Sequence, residues 1–231
     1  MSALFEEIDY RETPLGAISL RRRRLLSLGR DVFEVMLRDE HLMSTLFTEG
    51  EIALAKLGLA ETRGEALAVI VGGLGLGYTA RAALDDPRVA EVEVVDAMQA
   101  VIDWHRAGLV PLGAGLAADP RCRLTHADFF ALMAAPPVRT VDAILLDIDH
   151  SPRSLLNAGN GAFYTATGLG DAAAHLKPGG VFALWSDVAD PAFEATMAEV
   201  FDDCRSPVVE FANPLTGRTS SCTIHIGRSR P

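Results

Sequence analysis

Residues 66–96 read ALAVIVGGLGLGYTARAALDDPRVAEVEVVD. An apolar run, Ala66 to Val71, leads into Gly72-Gly73-Leu74-Gly75-Leu76-Gly77. A helical segment follows from Tyr78 to Leu84, then a turn at Asp85-Asp86-Pro87 and a second apolar run, Val92 to Val95, closed by Asp96. Strand, glycine turn, helix, strand, acid is the order found in the nucleotide-binding half of a doubly wound α/β sheet. Glycines let the backbone approach a ligand closely because no Cβ intervenes. An acid at the tip of the second strand, roughly twenty residues on, can accept hydrogen bonds from both hydroxyls of a ribose. A ligand-free tight turn uses glycine too. The position between strand and helix, with Asp96 closing the second strand, favours a nucleoside site.

Composition narrows the class. The 231 residues suit one full α/β domain with a small extra module, and 49% hydrophobic residues are ample for a core. A formal net charge of −10 argues against a nucleic-acid binder, which needs basic surface. It is compatible with a cationic small substrate. Cys122, Cys204 and Cys222 are scattered and form no CxxC pair, so neither a zinc site nor a disulfide framework is expected. No apolar run reaches membrane-spanning length without glycine or charge, and MSALFEEIDY is acidic, unlike a secretion signal. A cytoplasmic protein without membrane contact is expected.

The glycines at 73, 75 and 77 are spaced G-x-G-x-G, without the G-x-G-x-x-G continuation of dinucleotide sites. That spacing is common in sites for S-adenosylmethionine (SAM). The stretch VIVGGLGLGYTARAALDDPRVAEVEVVD resembles the corresponding segment of spermidine synthases and their relatives. So do HADFF (126–130), VDAILLDIDHSP (141–152), LKPGGVFALWSD (176–187) and the closing NPLTGRTSSCTIHIGRS. The resemblance implies a Rossmann-like sheet of the SAM-methyltransferase type preceded by a small N-terminal β module that helps oligomerisation. It divides the chain into that module (1–47), a connecting helix and linker (48–65) and a nucleoside-binding catalytic domain (66–231).

The resemblance also assigns roles. Gly73, Gly75, Gly77, Asp96 with its neighbour Ala97, Asp128 and Phe129 would hold the nucleoside. On residues alone, Asp128 reads equally well as an acceptor for an adenine amino group or as a cap for the helix beginning at Phe129. The resemblance favours adenine, with Phe129 over the ring. Val141 to Leu146 is almost purely apolar, as a central parallel strand should be, and delivers Asp147, Asp149 and His150 to its C-terminal end. Asp147 matches the family's catalytic aspartate. Asp149, His150 and Tyr164 would hold the substrate. Asp-x-Asp-His could also suggest a metal, but no companion ligands stand out, so none is expected.

Several positions depart from the family pattern. Its Asp-Ser-Ser-Asp-Pro motif reads Asp-Ile-Asp-His-Ser-Pro here, with the second acid one place earlier. Its GGGDGG turn carries an aspartate that meets the donor's amino group; that place is Gly75. In DEHLMSTLFTEGE (39–51), Glu40 replaces a glycine and Met43 a glutamine, and the aromatic expected near Ile52-Ala53 is absent.

The remaining readings are local. Alternating stretches at Ala17 to Leu20 and Val32 to Leu37 suggest antiparallel strands. Arg21 to Arg24 reads as salt-bridging residues on a strand rather than a phosphate patch. Thr48 and Glu51 form a capping-box pattern opening a helix that Gly58 and Gly64 would end. Helices are expected over Val101 to Leu109, Phe163 to His175 and Pro191 to Phe201, a loop over Leu109 to Asp119, and a hairpin around Asn213 to Gly217.

The leading expectation is aminopropyl transfer from decarboxylated SAM to an amine, with Asp147 taking the amine's proton. Methyl transfer from SAM is the alternative. A protein that binds the nucleoside without turnover is a third.

Overall fold

The computed structural model describes residues 4–230. Met1–Ala3 and Pro231, which belong to the two outer segments of the chain, lie outside the described residues. Four strands form an antiparallel N-terminal sheet: β1 (Phe5–Arg11), β2 (Ile18–Leu25), β3 (Arg30–Leu37) and β4 (Glu40–Ser44), in that order. Its arginine run is spent on acids: Arg21 on Glu7, Arg22 on Glu6, Arg23 on Glu34 and Arg24 on Asp31. Two hydrogen-bonded contacts are among those that tie this sheet to the rest of the chain. Trp104 Nε1 donates to Asp9 at 2.6 Å, and Arg11 pairs with Asp103 at 2.6 Å.

Helix α1 (Glu49–Glu61) leads to the second sheet. That sheet is built from β5 (Leu67–Gly72), β6 (Val89–Asp96), β7 (Cys122–His126), β8 (Val141–Leu146), β9 (Leu176–Ser186), β10 (Asp202–Arg205), β11 (Val208–Asn213) and β12 (Arg218–Arg228). Along the sheet the order is β10-β12-β9-β8-β5-β6-β7, with β11 paired to β12. β5 to β9 run parallel and β10 to β12 add antiparallel pairs. The strand order reverses between β5 and β8, and sites of open α/β sheets lie at such a switch point.

The helices are α2 (Tyr78–Leu84), α3 (Gln99–Arg106), α4 (Gly113–Ala118), α5 (Phe129–Ala134), α6 (Ala166–Ala174) and α7 (Pro191–Val200), with a 3₁₀ helix at Ala158–Tyr164. One core, with Leu54, Val69, Ile102 and Leu145, lies on the face of α1 to α4 and takes in Ile18, Leu20 and Val35 of the N-terminal sheet. The other, rich in phenylalanine, lies on the face of α5 to α7. Among the described residues no helix is long and apolar enough to cross a membrane.

Four local expectations need correction. Gly58 lies inside α1 rather than at its end: a Cβ there would sit 2.7 Å from Leu145 Cδ2, so the glycine lets helix and sheet touch. The Thr48 side chain makes no cap hydrogen bond; Glu49, not Glu51, accepts from the Thr48 amide, at 2.9 Å. The stretch read as a loop contains α4, whose Leu116 is buried. The helix expected from Phe163 breaks at Thr165, whose hydroxyl accepts from Gly168 N at 3.2 Å and starts α6 afresh. Arg38, at φ +55°, turns the chain from β3 into β4.

Candidate active site

The site is assembled where β5, β6 and β8 end. Gly73 has φ +94°, and a Cβ there would lie 2.1 Å from the Asp147 carbonyl oxygen. No other residue lets these two strand tips approach so closely. Gly75 has φ +46°, and its absent Cβ would meet Met43 Sδ at 2.4 Å, so a thioether from β4 rests on the turn. Gly77 faces elsewhere: it caps α2, against Leu116 and His105. His105 is buried, its pKa lowered by burial, and its Nε2 meets the Gly75 carbonyl at 2.9 Å. It props the glycine turn from behind.

Asp96 stands beside that turn. Its carboxylate accepts from Leu74 N at 2.9 Å and Met98 N at 2.7 Å. Burial raises its pKa, and those amide hydrogen bonds oppose the rise. The next residue, Ala97, is exposed, and its carbonyl lies 3.0 Å from His126 Nε2. Asp128 Oδ1 caps α5 through Phe130 N (2.9 Å) and Ala131 N (3.2 Å). Its other oxygen takes no hydrogen bond among the described residues. Capping and ligand recognition are therefore compatible in one carboxylate. Phe129 is 1% exposed and wedged under Gly72, while Phe130 is half-buried at the edge.

Asp147 follows β8. Its amide donates to the Gly72 carbonyl at 2.8 Å, and Thr79 Oγ1 donates to its Oδ2 at 2.8 Å. Burial, opposed by the Thr79 hydrogen bond, raises its carboxyl to about 6. Glu51, in the first turn of α1, is the residue that sequence reasoning placed wrongly. Burial and the negative charge of Asp147 push it up to about 8. Two acidic residues in that first turn, Glu49 and Glu51, were the available signal: one suffices for the cap.

Asp149 is 4% exposed and fully occupied within the protein. It accepts from Leu156 N (2.7 Å), Asn160 Nδ2 (3.0 Å) and Tyr164 Oη (2.7 Å), which pins the loop after β8. Tyr164, whose pKa is raised by burial and by Asp149, belongs to that clamp. His150 Nε2 lies 3.2 Å from Glu40 Oε1, the acid that stands where the family pattern has glycine.

A cavity of about 270 Å³ joins these parts. Gly73, Gly75, Asp96, Ala97, Asp128, Phe129 and Asp147 line it; Gly77, Asp149, His150 and Tyr164 do not. Leu15 of the turn between β1 and β2 and Ile18, Val35, Leu42 and Met43 of the N-terminal sheet line it too, as do Phe130, Asn157 and Asn160. Sequence reasoning did not place Leu15, Ile18 and Val35 here, because their approach depends on how the two sheets dock.

Comparison with known proteins fits this geometry. The family model described as the spermine/spermidine synthase domain matches residues 51–215. The chain belongs to that family. A spermidine synthase solved in complex with the transition state analogue AdoDATO is 17% identical, with a TM-score of 0.74 over 96% of this chain and 73% of that one. The spermidine synthase of Thermotoga maritima is 16% identical, TM-score 0.71, covering 96% and 72%. A probable spermidine synthase from Corynebacterium glutamicum ATCC 13032 is 18% identical, TM-score 0.66, covering 95% and 79%. The family fold is thus shared along nearly the whole chain, N-terminal sheet included.

Proposed function

We propose that the protein is a transferase that moves an alkyl group from a SAM-type sulfonium nucleoside to an amine, in the manner of aminopropyl transfer from decarboxylated SAM. The observation that carries the reading is Asp147, held by Thr79 at the mouth of β8, in one cavity with Gly73 and Asp96. The residues suit such a donor. Asp96 keeps lone pairs for ribose hydroxyls beyond those its two amides use, and Asp128 keeps a free oxygen for an adenine amino group.

A bound sulfonium supplies an electrophilic carbon whose sulfur leaves as a neutral thioether. Asp147 does the protein's part of the chemistry. A free amine has a pKa near that of lysine, about 10, and is mostly protonated and inert at neutral pH. Asp147 attracts the cation and takes one proton, and its raised pKa suits that exchange near neutrality. Thr79 fixes the carboxylate's orientation, and the Asp149 clamp fixes the loop beyond it. His150 and Tyr164 act in this reading by holding that loop and its link to β4.

One observation favours methyl transfer from SAM as the second reading. Met43 covers Gly75, where the resemblance expects an acid for the donor's amino group. Incubation with each donor separates the two: methylthioadenosine as product supports aminopropyl transfer, S-adenosylhomocysteine supports methyl transfer. Unchanged turnover in Asp147→Asn would remove Asp147 as the base. No consumption of either donor with any amine would leave a binding protein.

A further inference from the structure

The two walls of the cavity differ in kind. The three carboxylates that line it, Asp96, Asp128 and Asp147, all come from the catalytic domain. The opposite wall, Leu15, Ile18, Val35, Leu42 and Met43, carries no charge. Pro14 and Thr13 complete it, and the Thr13 hydroxyl is already spent, donating to the Gly16 carbonyl at 2.6 Å and accepting from Leu15 N at 3.2 Å. At Gly75 the wall closes onto the glycine turn through Met43.

Resting on the transferase reading, we infer that the acceptor is a monoamine with an apolar body, its nitrogen at Asp147 and its hydrocarbon along Leu15, Leu42 and Met43, which the buried Ile18 and Val35 back, rather than a diamine or polyamine. The nucleoside uses Asp96 and Asp128, which leaves Asp147 as the lining carboxylate for a cationic nitrogen. A second ammonium along that wall would face hydrocarbon and lose its hydration without a partner; of the two asparagines elsewhere in the lining, Asn157 Oδ1 already accepts from Gly159 N and Asn160 Nδ2 donates to Asp149. An alkyl or aryl tail gains there, at about fourfold in binding per buried methylene. Glu51 does not line the cavity, and burial, with the nearby charge of Asp147, disfavours its charged form, so it offers no second full anion. In the reaction the ammonium gives one proton to Asp147, the nitrogen lone pair forms the new N–C bond, and the C–S pair leaves on sulfur. The product is a secondary ammonium and a neutral thioether, and Asp147 returns its proton to water.

Two amines that differ only at the far end test this: 1-aminohexane and 1,6-diaminohexane. Each is supplied to the purified protein with decarboxylated SAM and, separately, with SAM, and nucleoside product is measured. The inference expects kcat/KM for 1-aminohexane to exceed that for 1,6-diaminohexane by about tenfold or more. It also expects Leu42→Glu, which puts an anion on the apolar wall, to narrow or reverse that ratio. Equal or better use of the diamine by the unaltered protein overturns it. The same amines are titrated calorimetrically into protein saturated with methylthioadenosine, so the preference is read even where no group is transferred. Absence of product with both donors then sinks the transferase reading alone. Equal binding of the two amines, or binding of neither, sinks the acceptor inference.

Discussion

The catalytic-domain wall of the cavity and the N-terminal wall are built by opposite means. The first is polar groups fixed by backbone and hydroxyl: Asp96 by two amides, Asp128 as a helix cap, Asp147 by Thr79. The second is side-chain hydrocarbon continuous with the core, in which Ile18 and Val35 are buried alongside Val69 and Leu145. On the proposed function, the difference teaches that recognition of the nucleoside and choice of its partner are separable. One is written into strand tips and turns, the other into how two sheets dock.

The largest effect should come from the polar wall. Asp147→Asn removes the proposed proton acceptor while keeping shape, and turnover should fall by about 10²–10⁴-fold. Donor affinity, measured by calorimetry, should change little, because Asp147 is not needed for the nucleoside. A loss of donor binding equal to the loss of rate would merge the two roles assigned to separate groups. Asp96→Ala should do the reverse. It removes the acceptor proposed for the ribose and strands the Leu74 and Met98 amides, so donor binding should weaken by about tenfold to a hundredfold.

The contact where the walls meet offers a sharper test. Gly75→Asp alone forces a side chain onto Met43 at a residue with φ +46°. Combined with Met43→Gln, the same change should be better tolerated. A double-mutant cycle in urea should give a coupling of about 0.5–3 kcal/mol. Strict additivity would mean that the two residues do not share the space.

Glu51 gives a smaller, pH-dependent effect. The groups that bear on it are Asp147 after β8, Glu49 on its own helix, Tyr78 on α2 and Cys222 on β12. Its folded pKa is raised, to about 8, so between the unfolded carboxylate value and 8 the folded state holds the extra proton. Stability therefore falls as pH rises through that window. Glu51→Gln should lessen the fall, leaving the part that the raised Asp147 and Asp96 carboxyls contribute, so its melting temperature should overtake the parent's by about 2 °C near pH 8 and not at pH 5. Least of all, Arg22→Ala, which breaks an exposed pair with Glu6, should cost under about 1 kcal/mol.

How much could be read from the chain divides along the same line. β5, α2, β6 and β8 were legible because their apolar runs and glycine turn are local signals, and Tyr78–Leu84 falls where the sequence places it. Asp96 and Asp147 were legible because a strand tip puts them there. Glu51 was not: a capping pattern explained it locally, and only the packing of α1 beside Asp147 gives it another setting. Asp149 and Tyr164 lie close to the site in sequence, but the hydrogen bond between them is a tertiary fact. The apolar wall was the least legible part, since Leu15, Ile18 and Val35 look like ordinary strand and turn residues until the sheets meet.

The central claim is that the cavity at the tips of β5, β6 and β8 receives a sulfonium nucleoside through Asp96. The direct measurement is calorimetric titration of decarboxylated SAM, SAM and methylthioadenosine into the protein and into Asp96→Ala. The account predicts one site per chain for methylthioadenosine and at least one of the donors, with affinity lost in the variant. Absence of binding by all three, or binding that Asp96→Ala leaves unchanged, would contradict it.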